Sequence, residues 1–136
     1  SAPRRNAGPL QSRSDSPRTL VRMTDLRPRL QELFGFADFR PGQEEVVRAA
    51  VDGRDTLALM PTGSGKSLTY QLAAMLRPEP SLVLSPLIAL MKDQVDRLVE
   101  RGIAATYINS SLSSDEQARR IRRMENGKLY WQMAAF

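Results

Sequence analysis

The segment 60–67, read as Met-Pro-Thr-Gly-Ser-Gly-Lys-Ser, contains the residue types that can hold a phosphate chain. Gly63 and Gly65 can adopt positive φ and turn bare backbone N–H groups toward an anion. Lys66 can reach the β- and γ-phosphates of a nucleotide, and the Ser67 hydroxyl can ligate Mg²⁺, which prefers oxygen. The residues therefore predict a phosphate-binding loop in which Lys66 and Ser67 are the catalytic candidates and Ser67 is the metal ligand.

The sequence on both sides of this loop predicts the elements that a phosphate-binding loop requires. The apolar run at residues 56–60 predicts a buried parallel strand, and Leu68, Leu72 and Met75 predict one face of a helix after the loop. The positive end of that helix would favour an anion. The general pattern GxxxxGK[ST] has glycine where this chain has Met60, so a chance glycine turn is the alternative.

Strands and helices are predicted to alternate along the rest of the chain. Apolar residues at helical spacing predict helices within residues 30–34, 41–51, 87–98 and 113–124, and short apolar runs predict strands at 81–85 and 104–109. This alternation predicts an α/β protein with a parallel sheet and right-handed crossovers. The end of the chain begins like a fourth strand at Leu129 and Tyr130 and then loses its pattern, so we expect the sheet to be incomplete.

Charge on the chain is concentrated near its beginning. The net charge is +5, and residues 1–28 contain six arginines against two aspartates in a Pro- and Ser-rich context. This segment predicts a basic, disordered tail, and residues 29–136 predict one domain. A basic arm that adds salt-dependent affinity for nucleic acid is the alternative. The arginines of the last predicted helix are expected to be solvated: Arg119, Arg120, Arg122 and Arg123.

Two residue types are missing from the composition, and their absence excludes several kinds of chemistry. The chain has no Cys and no His. A disulfide framework, a Cys-based zinc site, a Ser-His-Asp triad and His-ligated metals are therefore excluded. No apolar run is long enough to span a membrane and the first residues do not resemble a secretory signal. We therefore expect a cytoplasmic location and no membrane partner.

Three stretches resemble motifs of the RecQ family of DNA helicases. Residues 33–43 (LFGFADFRPGQ) resemble its motif 0, residues 60–71 resemble its motif I, and residues 85–95 (SPLIALMKDQV) resemble its motif Ia. Three matches in the right order are far more specific than one loop. The resemblance covers about residues 29–130. It implies a RecA-like P-loop NTPase fold, with a parallel sheet flanked by helices, as an incomplete first helicase lobe.

The resemblance also implies ATP and Mg²⁺ as cofactors. Phe36 and Arg40 would flank the adenine ring, and Gln43 would hydrogen-bond the edge of the ring, because an amide matches the donor and acceptor there. Phe39 is expected to be a core aromatic residue. The nucleotide-binding candidates are Phe36, Arg40, Gln43, Thr62, Gly63, Ser64, Gly65, Lys66, Ser67 and Leu68.

Motif Ia implies a path for DNA, with single-stranded and forked DNA as partners. Ser85 is predicted to follow a strand at the same edge of the sheet as the phosphate loop, where α/β folds place ligands. The alternative is that Ser85 is a helix N-cap and Lys92 is solvated. The oligomeric state is left open. The nucleic-acid candidates are Ser85, Pro86, Leu87, Lys92, Asn109 and Ser110.

The function implied by the resemblance is ATP-dependent DNA unwinding in the 3′ to 5′ direction, as in DNA repair and recombination. An RNA-directed helicase of the same superfamily and a non-enzymatic, nucleotide-dependent nucleic-acid-binding module are the alternatives; a small-molecule P-loop kinase lacks support, because no lid or acceptor pocket is evident. Neither the acidic motif II nor a second lobe follows Tyr130. We therefore expect an ATP-binding fragment without useful ATPase or unwinding activity, and turnover with single-stranded DNA would contradict this.

Overall fold

The computed structural model of the chain describes residues 25–127 and 131–134. The elements of this part, in chain order, are α1 (Arg27–Phe34), α2 (Gln43–Val51), α3 (Lys66–Met75), β1 (Ser81–Leu84), α4 (Ile88–Glu100), β2 (Ala105–Ile108), α5 (Ser114–Glu125) and β3 (Trp131–Ala134). The boundary predicted between residues 28 and 29 falls inside α1. No helix in the described ranges is long and apolar enough to cross a membrane.

Helices α1 and α2 follow from local sequence signals. Pro28 opens α1, because its fixed φ suits a first helical turn. Gly35 ends α1 in the left-handed conformation, at φ 77°, and donates its N–H to the Gln31 carbonyl. Helix α2 begins after Gly42, and its Val47 side chain is fully buried. Both helices end where the sequence predicts, α1 begins three residues before the predicted segment and α2 two residues after Pro41, and each places one apolar face in the core.

Three parallel strands form a sheet in the order β1-β3-β2. Leu84 and Ile108 both pair with Ala134, so the ends of β1 and β2 lie at the same level. The sequence predicted that the strand pattern is lost after Tyr130, and this is wrong for Trp131–Ala134, which form the central strand. A parallel strand paired on both sides needs no alternation of polar and apolar residues. Leu129 and Tyr130 lie outside the described residues.

Residues 56–60 do not form the predicted strand. They have no regular secondary structure, and Leu57 and Leu59 are 85% and 88% exposed. A strand needs a neighbour for its backbone N–H and C=O groups, and none of the described strands lies beside this run. An apolar composition alone could not supply that neighbour, so the prediction of a buried strand is wrong for this structure.

One hydrophobic core joins the helices to the sheet. Helix α2 packs against α3, α4 packs against β2 and β3, and α3 contacts β3. Burial of a whole Leu, Val or Met side chain contributes roughly 1.5–3 kcal/mol each, so this cluster supplies most of the stabilisation. Its members are Leu26, Leu30, Phe34, Val47, Val51, Leu68, Leu72, Ala73, Ala74, Met91, Val95, Leu98 and Ile103.

Arg120 on helix α5 is packed rather than solvated. Its side chain is 18% exposed, its Nη1 donates to the Tyr107 carbonyl at 2.6 Å, and its guanidinium lies 4.7 Å from the centroid of the Tyr107 ring. It also forms an ion pair with Glu116 at 2.9 Å, and this hydrogen bond lowers the pKa of that carboxyl. The predicted solvated face is correct for the three exposed arginines: Arg119, Arg122 and Arg123.

Replacing Arg120 with alanine is expected to lower the free energy of unfolding by about 1–2 kcal/mol, the sum of a cation–π contact and a hydrogen bond. Arg119→Ala is the matched control. It removes the same charge from α5 and an ion pair to Glu116, but the Arg119 side chain is 63% exposed, so its effect should be less than about 0.5 kcal/mol. Urea unfolding measures both, and equal losses would contradict the role of the Tyr107 contacts.

Candidate functional site

The loop before α3 has the geometry of an anion-binding turn. Gly63 and Gly65 have φ values of 80° and 81°, which allow the chain to turn sharply into the helix. Ser64 closes the turn, because its N–H and its hydroxyl both donate to the Pro61 carbonyl, at 3.2 and 2.5 Å. Helix α3 begins at the exposed Lys66. Backbone N–H groups at the positive end of a helix therefore lie beside a cationic side chain, and this arrangement favours an anion.

Gln43 and Arg40 hold this loop from the beginning of α2. The Gln43 side chain is buried at 3% exposure, its Nε2 donates to the Gly65 carbonyl at 3.0 Å, and its Oε1 accepts the Arg40 N–H at 2.8 Å. Arg40 Nη1 donates to the Gly63 carbonyl at 2.9 Å. A Cβ atom on Gly65 would collide with the Gln43 amide nitrogen. Both ends of the Gln43 amide thus have partners within the protein, and its contact with adenine stays a prediction.

Two adjacent openings flank the loop. The first, which we call the loop groove, has a volume of about 460 Å³ and is lined by Arg40, Thr62, Gly63, Gly65, Lys66, Ser67, Tyr70 and Gln94. The second, which we call the α4 cleft, has a volume of about 340 Å³. It is lined by Phe34, Phe36, Asp38, Arg40, Gln43, Gly65, Ser67, Leu68, Gln71, Gln94, Arg97, Leu98 and Arg101. The two openings lie side by side, because four residues line both of them: Arg40, Gly65, Ser67 and Gln94.

All the nucleotide-binding candidates from the sequence except Ser64 therefore line at least one of these two openings. Phe36 lies at the α4 cleft with half of its surface exposed, and Leu68 lines the same cleft although it is buried. Ser64 lines neither opening, because its hydrogen bonds stabilise the turn. Phe39 packs against the core, as predicted.

Helix α4 contributes residues to the site that the sequence analysis missed. The Tyr70 hydroxyl donates to Gln94 Oε1 at 3.2 Å, and burial raises the pKa of this phenol. Gln94, Arg97 and Arg101 recur every three or four residues, and this spacing could have indicated one face of α4. The sequence could not indicate that this face lies against the loop.

The motif Ia candidates surround the beginning of α4. The Ser85 hydroxyl accepts the Leu87 N–H at 3.2 Å, while the helix itself starts at Ile88 without a side-chain cap. Lys92 is exposed and pairs with Asp96 at 2.5 Å, and this hydrogen bond raises the pKa of the lysine. Pro86 and Leu87 are also exposed. These side chains are therefore accessible to a ligand, although Lys92 would have to exchange its ion pair with Asp96 for the ligand.

Asn109 follows β2 at the sheet edge where Ser85 follows β1, as the parallel register requires. Its side chain, however, is 4% exposed, and its Oδ1 accepts the Ser111 N–H at 2.9 Å. Asn109 is therefore part of a local turn, while Ser110 is exposed. The predicted position of the phosphate loop at this edge is not seen, because residues 56–60 are not in the sheet. In the described ranges, no group of three or more acidic side chains could hold a metal ion.

Comparisons with known proteins place this geometry in a family. The sequence profile of DEAD/DEAH box helicases matches residues 40–133, so the chain belongs to the DEAD/DEAH box helicase family, whose fold is RecA-like α/β. The chain is 48% identical over 100 residues to an ATP-dependent DNA helicase RecQ of Haemophilus influenzae, covering 74% of this chain and 16% of that protein. The predicted resemblance to RecQ helicases is confirmed.

Two further relatives agree with this result. Over 100 residues the chain is 49% identical to the ATP-dependent DNA helicase RecQ of Pasteurella multocida, covering 74% of this chain and 16% of that protein. Over 105 residues it is 46% identical to the RecQ helicase of Bacillus subtilis, covering 75% of this chain and 18% of the relative. The chain thus spans about a sixth of the length of the curated relatives that it matches.

Proposed function

We propose that residues 29–136 are the ATP-binding part of a RecQ-type ATP-dependent DNA helicase, which unwinds DNA in the 3′ to 5′ direction. The observation that supports this most directly is the loop at residues 61–66, with two glycines at positive φ, Gln43 and Arg40 holding its carbonyls, and Lys66 exposed at the start of α3. This arrangement would turn backbone N–H groups of the loop toward the phosphates of a nucleotide, so that the backbone itself binds the anion.

ATP would lie along both openings of the site. The triphosphate would occupy the loop groove, where Lys66 neutralises charge on the β- and γ-phosphates, and the Ser67 hydroxyl would hold Mg²⁺. When bound, the ion would neutralise the phosphate oxygens during transfer. The adenine would occupy the α4 cleft, where the half-exposed ring of Phe36 offers a stacking face.

DNA would contact the exposed part of motif Ia. Ser85, Pro86 and Leu87 lie at the carboxyl edge of β1, and Lys92 follows on the first turns of α4. A hydroxyl, backbone N–H groups at the start of α4 and one lysine can hold phosphates without reading bases, which suits a single strand or a fork. The names of the relatives, all DNA helicases, favour DNA over RNA.

Residues 56–60 would form one further strand of the family's parallel sheet. Their leucines are exposed, and so are Leu82 and Leu84 of β1, at 51% and 66%. Apolar surface of this kind favours burial. We propose that further strands of a RecA-like sheet lie between this run and β1 in the complete fold.

Isothermal titration tests the proposal on the 136-residue chain. We expect Mg-ATP to bind in a 1:1 ratio and more tightly than Mg-CTP, since a purine stacks more strongly than a pyrimidine. A labelled oligo-dT should bind with an affinity that falls as salt rises. Absence of nucleotide binding by correctly folded protein would overturn the ATP assignment. Tighter binding of an RNA oligomer of the same sequence would favour the RNA-directed alternative.

A further inference from the structure

The end of α1 is held by a side chain that lies outside the three resembled motifs. Arg101, the residue after α4, donates from Nη1 to the Leu33 carbonyl at 3.1 Å, and its guanidinium lies 5.4 Å from the centroid of the Phe34 ring. The Leu33 carbonyl belongs to the last turn of α1, where carbonyls have no N–H of a next turn to accept and a cation is favourable. Phe34 itself is buried in the core. Arg101 therefore connects the end of α4 to a fixed point at the end of α1.

The connecting segment, by which we mean residues 35–40, begins at this fixed point. Phe36 is its second residue and lies at the α4 cleft with half of its surface exposed. Further along, Asp38 accepts from Arg27 Nε at 2.9 Å, and Arg40 ties the far end of the segment to the phosphate loop. Phe36 is therefore placed between two anchored points, and the anchor that precedes it depends on a contact from the end of α4.

We propose that Arg101 is a positioning residue of the nucleotide site, which holds the connecting segment in the conformation that binds the base of ATP. It acts through the end of α1 and not on the base, because its guanidinium is engaged by the Leu33 carbonyl and the Phe34 ring. A segment that is ordered before the ligand arrives loses less conformational freedom on binding, so the ligand binds more tightly. This inference rests on the proposed ATP site and adds to it a residue that the motifs do not include.

Parallel titrations of the full chain with Mg-ATP and with inorganic tripolyphosphate test this role. Arg101→Ala should weaken ATP binding about three- to tenfold, the cost of ordering one or two side chains on binding, and should change tripolyphosphate affinity by less than about twofold. Arg101→Lys keeps a cation and a donor at the end of α1, so it should recover most of the lost ATP affinity. Arg29→Ala is the matched control. It removes an exposed arginine of α1 that pairs with Glu32, and both ligands should bind as in the unmodified chain.

Amide hydrogen exchange in the absence of nucleotide gives a second readout. The N–H of Gly35 is bonded to the Gln31 carbonyl, and the N–H of Phe39 is bonded to the Asp38 carboxylate. In Arg101→Ala these two amides should exchange at least about threefold faster, because the start of the connecting segment is released, while the amides of α2 keep their rates. In Arg29→Ala the two amides should exchange as in the unmodified chain.

The outcomes separate this inference from the proposed function. Unchanged ATP affinity in Arg101→Ala would overturn the role of Arg101 and leave the ATP site intact. Equal losses for ATP and tripolyphosphate would also overturn it, because Arg101 would then act on the phosphates or on the whole fold. Weaker ATP binding with unchanged amide exchange would replace positioning by a direct contact with the ligand. Failure of the unmodified chain to bind ATP would overturn the proposed function together with this inference.

Discussion

Replacing Gly65 with alanine is expected to weaken ATP binding at least about 100-fold and to destabilise the fold by about 2–4 kcal/mol. Gly65 has φ 81°, where a side chain adds strain, and its new Cβ would collide with the Gln43 amide nitrogen. Displacing that amide leaves the carbonyl of Gly65 and the N–H of Arg40 without their partner, and because these bonds are only partly buried each loss costs about 0.5–1 kcal/mol. The loop would then lose the conformation that turns its N–H groups toward phosphate.

Gly102→Ala is the matched control for this substitution. Gly102 has nearly the same φ, 80°, but no atom lies within 4 Å of the position of its Cβ. It should therefore lower the free energy of unfolding by only about 1–2 kcal/mol, the strain of a left-handed residue, and leave ATP affinity unchanged. Calorimetric titration and urea unfolding of both variants measure these effects. If Gly65→Ala binds ATP as well as Gly102→Ala does, Gln43 does not control the loop.

Replacing Lys66 with alanine is expected to weaken ATP binding about 10- to 100-fold with little change in stability. A charge-assisted hydrogen bond contributes about 1.5–3 kcal/mol, and Lys66 would make such bonds to the β- and γ-phosphates. The side chain is exposed, and the described carboxylates form no ion pair with it, so its removal leaves the fold intact.

Titration with Mg-ATP and with Mg-AMP checks the role of Lys66. The loss should be large for ATP and small for AMP, because AMP has no β- or γ-phosphate. Arg123→Ala removes one exposed cationic charge from α5 and controls for net charge. Equal losses in the Lys66 and Arg123 variants would mean that ATP is attracted only by the charge of the whole protein.

The helices and the phosphate loop could be predicted because they depend on local signals. Glycines that must adopt positive φ, such as Gly35 and Gly65, stand next to segments with apolar residues at helical spacing. Each of these signals depends on residues that are close together in the sequence. The core position of Phe39 was predicted for the same reason. The resemblance to RecQ motifs gave the family, which composition alone could not.

The failures involve partners that are distant in sequence. Residues 56–60 have the composition of a strand, but a strand exists only beside another strand. The sequence analysis also did not predict that Gln43 holds the loop carbonyls. It also did not predict that the Asn109 side chain is buried in a local turn. In each case the residue type was interpreted correctly as polar or apolar, and the group that satisfies it could be found only in three dimensions.

The central position of β3 has a consequence for how the chain folds during synthesis. Strands β1 and β2 do not pair with each other, and each pairs only with Trp131–Ala134. Ser81 cannot form its first bond of the sheet until Trp131 has left the ribosome, while α2 and α3 can pack against each other much earlier. We expect β1 and β2 of the nascent chain to stay unpaired until translation reaches β3, and unpaired strand edges favour aggregation during this interval.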